Sequence, residues 1–524
     1  MHRTLAGFIC VGLAAVCGCS GPSQQTHSRT LRVAIEQDVK TLNPLLASST
    51  VDGFVQRLMF EPLVSADERG QPVPILATEV PSTANRGISR DGLTIVYHLR
   101  KNAKWSDGIA ITSKDVQFSW AAILNPHNNV VSRHGYDDVV RIDTPDASTV
   151  VAHLKRPFAP FVNTFFGESD QPYAIVPAHV LSKYPDINRI AFDEHPTVTD
   201  GPFLFQAWAH GDRLTFVRND RFFFGKPKLD HVEVHVVPDE NTGVNLLRTH
   251  EIDYMYEPSI VTFPAISRIP GVRIVWVNVN GYIGLALNTA HAALSSPGAR
   301  QALALALDKP RLVNTLTFGQ ERVATADLPD WLWAANPHLR VPKPDLVASR
   351  AMLQRYSRNA KSLLLVTDTA NATFRRAAVQ VQSMFAAVGL KLTIRYYPAD
   401  LLYAPAGMGG IVHGGKFDIV MWPWYAGIDP DNSSQFLCSS QPPNGYNDAR
   451  YCHSEMESLQ NQALTTYDRG LRRAAYWKIE SLVVRDNPII PLWYQRQQEA
   501  IDARFKGFAP NPVVESWNAW QWSI

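Results

Sequence analysis

The sequence predicts an α/β fold divided among several domains. One segment carries most of this expectation. Residues 362–366 read as a strand, and the next stretch sets Phe374, Ala377, Ala378, Val381, Met384, Phe385 and Val388 at helical spacing. Leu390, Leu392, Ile394 and Tyr396 then alternate with Lys391, Thr393 and Arg395, so strand, helix and strand form a βαβ unit. A second observation is clean alternation elsewhere, in Leu93, Ile95, Tyr97 and Leu99 and again in Val232, Val234 and Val236, which marks half-buried strands. The third is length, because 524 residues exceed what one core organises and imply two to four domains.

The elements follow in chain order. Arg3 precedes an apolar run over residues 5–16, too short to span a bilayer and right for the core of an export signal. A strand is expected at 31–35 and a helix at 52–60. Asp91-Gly92 turns the chain into a strand within 90–100, and Trp105-Ser106-Asp107-Gly108 turns it again. Thr112 or Ser113 caps a helix that begins at Lys114-Asp115 and carries Val116, Phe118 and Trp120, which cannot all face inward. Gly389 ends the helix of the βαβ unit. Residues 417–421 read as a strand that Pro423 terminates. An amphipathic helix over 468–486 stops at Asn487-Pro488, and 489–494 reads as an extended crossing segment. No later apolar run approaches 18 residues, so nothing beyond the signal is expected to cross a membrane.

Chemistry is concentrated in 417–438, where Trp422, Trp424 and Tyr425 are followed by Gly427 and the turn Asp429-Pro430-Asp431-Asn432. Rings at the mouth of a sheet suit a ligand wall; filling a core is the other reading. Enzyme signatures are missing: there is no GxSxG elbow and no HExxH. His231 and His235, four apart on a strand, would stand roughly 13 Å apart and could not share a metal ion, and no metal site or cofactor is expected. The segment GIVHGGK, 410–416, has the glycines and lysine of a P-loop, but Phe417 stands where a hydroxyl must hold Mg²⁺. Asp429 and Asp431 fit turn capping better than acid–base catalysis. A formal charge of +2 without a basic run gives no reason to expect nucleic acid.

Val16-Cys17-Gly18-Cys19 resembles the lipobox of bacterial lipoproteins, which implies removal of residues 1–18, a lipid on Cys19 and a tether over 19–28 rich in Ser, Gln and Gly. Cleavage without lipid is the alternative. Export leaves Cys438 and Cys452 as the remaining pair, and in an oxidising compartment a disulfide between them would hold the polar excursion SSQPPNGYNDARY; two buried free thiols are the alternative.

The run DGLTIVYHLRKNAKWSDGIAITSKDVQFSW, 91–120, resembles the signature of family 5 bacterial solute-binding proteins, the peptide-, dipeptide- and nickel-binding components of ABC importers. Gly201-Pro202-Phe203 with Trp208, Gly211-Asp212 and Arg218-Asn219, then Gly225-Lys226-Pro227-Lys228-Leu229-Asp230, are similar to a second block of that family. Glu251-Ile252-Asp253, Leu287-Asn288-Thr289, Arg300-Gln301-Ala302-Leu303 and Ala306-Leu307-Asp308-Lys309 continue the match in order. The resemblance implies a periplasmic-binding-protein type II-like fold of two lobes with a hinge and an extra domain inserted in lobe one. Lobe one would comprise 29–64, 178–280 and 493–524, the inserted domain 65–177 and lobe two 281–492. Crossings at 279–282 and 491–493 would form the hinge. It further implies a monomeric, non-enzymatic binding protein in the periplasm or on the outer cell surface. Such a protein would be anchored by its lipid, would capture a peptide or peptide-like solute and would deliver it to an ABC permease. An oligosaccharide or metal chelate, or a sensory role, is the alternative. Ligand contacts implied by the family fall on Ser48, Ser49 and Thr50, on Tyr282, and on Trp422 with Trp424, Tyr425 and Asp429. Peptide-binding members place an aspartate a few residues after the tryptophan to pair with the α-amine. Here those places hold Trp424, Tyr425, Ala426 and Gly427, and Asp429 aligns with the family's following Asp-Pro, so the amine would need another anchor.

Overall fold

The computed structural model describes residues 29–169, 171–356 and 362–524; the expected export signal, Cys19 and tether lie outside them. An 11-stranded sheet runs through the molecule. Two long strands at its centre, Val272–Leu287 and Ile489–Asp502, pair antiparallel. On one side Ile489–Asp502 meets Tyr254–Met255, which pairs in parallel with Thr30–Ile35, and then come His231–Val236, Arg213–Arg218 and Phe203–Ala209. On the other side Val272–Leu287 pairs with Ile419–Tyr425, followed in parallel by Ser362–Asp368 and Lys391–Tyr397. Each half is a lobe, and the central pair passes between them. Its register shifts between Asn278 and Tyr282 and again between Ile283 and Gly284, so the ladder is weakest where the lobes meet. Gly281 is required there, because a Cβ would run into the carbonyl oxygen of Trp424.

The βαβ unit forms as its pattern directs. Asn371 accepts a hydrogen bond from the Phe374 N–H (2.9 Å) and starts the helix Ala372–Ala387, which buries Phe374, Ala377, Ala378, Val381 and Phe385 against Leu365, Leu392 and Ile419. Gly389 turns the chain away at φ +86°. The opposite face of this sheet, with Val366, Val420 and Trp422, is covered by the helices Ser454–Thr465 and Arg469–Asp486. Asp468 caps the second of these through the Leu471 N–H (2.8 Å), and Asn487 ends it in the left-handed conformation before Pro488.

Thr94–His98, Thr149–Leu154 and Val139–Asp146 form a separate antiparallel sheet covered by Ser113–Leu124. Asp115 accepts from the Thr112 N–H (2.8 Å) at the start of that helix, Val116 is buried, and Phe118 and Trp120 are half-buried. This inserted layer shares one continuous core with the first lobe, from Leu31 through Tyr97 and Phe165 to Trp522.

The strand expected within 90–100 forms over Thr94–His98, after the turn at Gly92 (φ +70°). Other elements differ from expectation: the helix expected at 52–60 runs over Thr50–Gln56, and the strand expected at 489–494 extends to Asp502. Pro423 does not end its strand, which continues to Tyr425 with Pro423 opposite Ile283. The ladder to Ser362–Asp368 stops at Val420, so Pro423 lies on a free edge where its missing N–H removes no bond to that neighbour.

Candidate functional site

A cavity of about 780 Å³ lies between the inserted layer and the second lobe. One wall is built from residues 131–138, 156–164 and 168–169, and the other from 405–413, 424–434 and 437–446. Direct contacts bound it. The Ile428 N–H donates to the Glu168 carbonyl (3.0 Å), and the Ala159 N–H donates to the Leu464 carbonyl (2.7 Å). Gly427 sits so close that a Cβ would meet the Glu168 carbonyl oxygen and Ser169 Cα at 2.6 Å. His134 Nε2 lies 3.3 Å from Asp431 Oδ2 across the cavity.

The rings divide into two roles. Trp424 and Tyr425 line the cavity, and Tyr425 is 47% exposed. The Tyr425 hydroxyl accepts from Gln495 Nε2 (3.1 Å), and Trp424 meets Tyr446 edge-on at 6.1 Å. Trp422 and Tyr282 are buried instead, edge to face at 6.0 Å, and the Tyr282 hydroxyl donates to Gln435 Oε1 (3.1 Å). Position along the strand explains why the two tryptophans differ: Trp422 and Trp424 share one face, but Trp422, paired to Gly284, lies within the second-lobe core, while Trp424, nearer the strand end, packs at the margin of that core and reaches the cavity.

Ser48, Ser49 and Thr50 lie on the first lobe at the start of the helix Thr50–Gln56. Ser49 caps it by accepting from the Asp52 N–H (3.2 Å), and Thr50 Oγ1 donates to Glu257 Oε2 (3.4 Å). None of the three lines the 780 Å³ cavity. Asp429 does, but Arg472 donates to both its oxygens (2.9 and 2.6 Å), and Asn163 Nδ2 reaches it at 3.4 Å. Burial alone would lower the Arg472 pKa, yet the Asp429 charge holds it above the usual range. Two other acids of the wall are matched, Asp138 with Arg156 (3.2 Å) and Glu168 with Arg57 (3.4 Å). Cys438 and Cys452 are joined by a disulfide, which ties down the segment that gives Ser439, Ser440, Asn444 and Tyr446 to the cavity.

Sequence reasoning did not reach the inserted-layer wall, where His134 and Arg156 sit in loops and Asn163 in the four-residue helix Phe161–Thr164, too short to show a period. Nor did it reach three glutamates beside the central strand. Glu257, Glu499 and Glu515 bring one oxygen each within 4.8 Å of one another. Burial pushes the Glu499 and Glu515 carboxyls well above the ordinary carboxylate value, and the neighbouring glutamate charges push the same way.

A cavity walled by the inserted layer and the second lobe, beside a paired-strand hinge, suits a binding protein, and the sequence agrees. The model of the bacterial extracellular solute-binding proteins, family 5 Middle, matches residues 71–445, more than half of the chain. The chain belongs to this family. The solute-binding protein is 23% identical over 497 residues to the oligopeptide-binding protein AppA of Bacillus subtilis (strain 168), spanning 92% of this chain and 89% of the relative. It is 24% identical over 516 residues to the glutathione-binding protein GsiB of Escherichia coli O1:K1 / APEC, spanning 97% and 96%. Its fold matches B. subtilis AppA in complex with a nonapeptide (TM-score 0.79, 22% identity, 95% and 99% covered). It also matches NikZ from Campylobacter jejuni in complex with Ni(L-His) (TM-score 0.79, 23% identity, 94% and 99% covered). The two-lobe α/β fold with its inserted layer is therefore that of the type II binding proteins, and the solute-binding protein is a transport component rather than an enzyme. Among the described residues no helix is long and apolar enough to cross a membrane.

Proposed function

We propose that this protein captures a peptide or peptide-like solute between its lobes and delivers it to the permease of an ABC importer, working as a monomer anchored through a lipid on Cys19 in the periplasm or on the outer cell surface. The observation that carries the reading is the ring-walled cavity of about 780 Å³ beside a two-strand crossing, a volume within the range of about 300–1,000 Å³ usual for small-ligand sites. The names of the relatives, which bind oligopeptide and glutathione, point the same way. In this reading the lobes divide at 29–64, 178–280 and 493–524 against 281–492, with 65–177 inserted, and rotate about the register shifts of the central strands. Trp424 and Tyr425 stack on the solute, Trp422 and Tyr282 hold those rings in place from behind, and Ser48, Ser49 and Thr50 form the first-lobe rim. Asp429 acts through Arg472, which fixes the loop that carries the rings.

The same ion pair favours a second reading. With Asp429 engaged by Arg472, its carboxylate is not open to a free α-amine, which suits a non-peptide solute such as an oligosaccharide or a metal chelate. Native mass spectrometry of the purified protein, before and after partial unfolding and refolding, separates the two. A heterogeneous ladder of peptide masses that disappears on refolding supports the peptide reading, and one discrete non-peptide mass replaces it with the second.

A further inference from the structure

We propose that Glu257, Glu499 and Glu515 form a binding site for a hard divalent cation of the calcium, magnesium and manganese class, seated against the central strand at the first-lobe side of the hinge. The three residues come from three separate segments: the turn after Tyr254–Met255, the crossing strand Ile489–Asp502, and the stretch that follows it. One carboxylate oxygen of each lies within 4.8 Å of the other two. Oxygens bound to a common ion at about 2.1–2.5 Å are spaced by roughly 3–5 Å, so a single ion can touch all three.

The surroundings lack the usual neutralising partner. Ion pairs elsewhere at this end of the molecule engage Asp253, Asp502 and Glu168, and among the described residues no lysine, arginine or histidine pairs with any of the three glutamates. Two polar atoms at the same place have no hydrogen-bond partner: Glu499 Oε1, on a side chain with no exposure, and the hydroxyl of Tyr256, which is 3% exposed. That hydroxyl faces the Glu257 and Glu515 carboxylates closely enough to interact with both. Buried polar atoms are normally satisfied, and these two remain open beside the three carboxylates. The second oxygen of Glu499 is held by the Tyr254 hydroxyl (2.8 Å) and the Glu257 N–H (3.1 Å), which fixes its rotamer with Oε1 left over.

Donor chemistry selects the ion. Carboxylates and a phenol oxygen, without imidazole or thiolate, suit hard cations and disfavour zinc or copper. Three carboxylates against two positive charges leave one negative charge over, and water fills the remaining coordination positions. Glu257 is only partly buried and borders the exposed Thr50, so it provides the entrance.

The test uses the full chain stripped with a chelator and titrated calorimetrically with Ca²⁺, Mg²⁺ and Mn²⁺, with bound Mn²⁺ followed by electron paramagnetic resonance. One ion per chain is expected, together with a higher Tm in its presence. Glu257→Gln, at a partly exposed position that tolerates the change, should weaken binding by about tenfold or more. Glu499→Gln should abolish it. Failure of all three ions to bind at millimolar concentration overturns the proposal. Binding that survives Glu257→Gln unchanged also overturns it, by placing the ion elsewhere, and this arm stands even if Glu499→Gln does not fold.

Discussion

Buried acids on the two lobes are handled in opposite ways. On the second lobe, Asp429 accepts two hydrogen bonds from Arg472, whose guanidinium also lies over Trp333 (5.6 Å) and Tyr476 (5.7 Å). On the first lobe, Glu257, Glu499 and Glu515 crowd together with no cationic partner among the described residues. The difference teaches that proximity to a cleft does not assign an acid its job. The conspicuous carboxylate, beside the aromatic loop, is bound into the scaffold, and the inconspicuous ones are left without a cation, their charged forms disfavoured by burial and by one another.

The strongest way to break this contrast is Arg472→Met. It would strand the buried Asp429 charge and should cost about 3–5 kcal/mol of stability, seen as a large fall in Tm; Asp429→Asn in the same chain should recover part of the loss. If Arg472→Met is neutral, the pair is not what holds the loop. Next in size is the covalent tie. Replacing Cys438 and Cys452 together by serine opens a loop with a sequence separation of 14 and should remove about 3 kcal/mol, measured by denaturant unfolding. Solute affinity should fall with it, because the freed segment forms one wall. Trp424→Ala should weaken solute binding by about 2 kcal/mol with little change in Tm, by calorimetry with the solute that mass spectrometry identifies. Trp422→Ala should do the reverse and lower Tm first, since that ring is in the core.

A third acid sharpens the comparison through its pH dependence. Asp448 is buried beside His413 and Arg450, and burial, partly opposed by the Arg450 charge, pushes its carboxyl up to about 7. Its folded value lies above the ordinary 3.8, so the stability it contributes is fully present below 3.8 and is lost as pH rises through about 7. Within that window the loss should approach about 1 kcal/mol per pH unit. Asp448→Asn should flatten that part of the profile, and an unaltered slope would assign the pH dependence to another group.

Much of the fold was legible because its signals are local. The alternation of 390–396 and the spacing from Phe374 to Val388 need only their own neighbours to be read, and Asn371, Gly389 and Asp468 mark their ends within one turn. Pro423 misled because its effect depends on whether a strand lies beside it, which the residue itself does not reveal. The rings show the same limit: Trp422 and Trp424 are two residues apart on one face and chemically identical, and only how near each lies to the strand end, opposite Gly284 or Tyr282, decides which is core and which is wall. Arg472 is 43 residues from Asp429, and Glu257 and Glu499 are 242 apart. No spacing rule joins such partners, so charges that meet only in the folded chain were out of reach.

The central strand has one more consequence, for the order in which the chain can mature. The second lobe draws most of its sheet from consecutive sequence, but the first lobe needs Ile489–Asp502 beside Tyr254–Met255 and needs Trp522 in its core. Ser516 Oγ closes on the Phe54 carbonyl, 462 residues earlier. Contacts of such separation form late and slowly. A chain lacking its last segments therefore cannot close its first lobe, so that lobe is completed only when synthesis is nearly over.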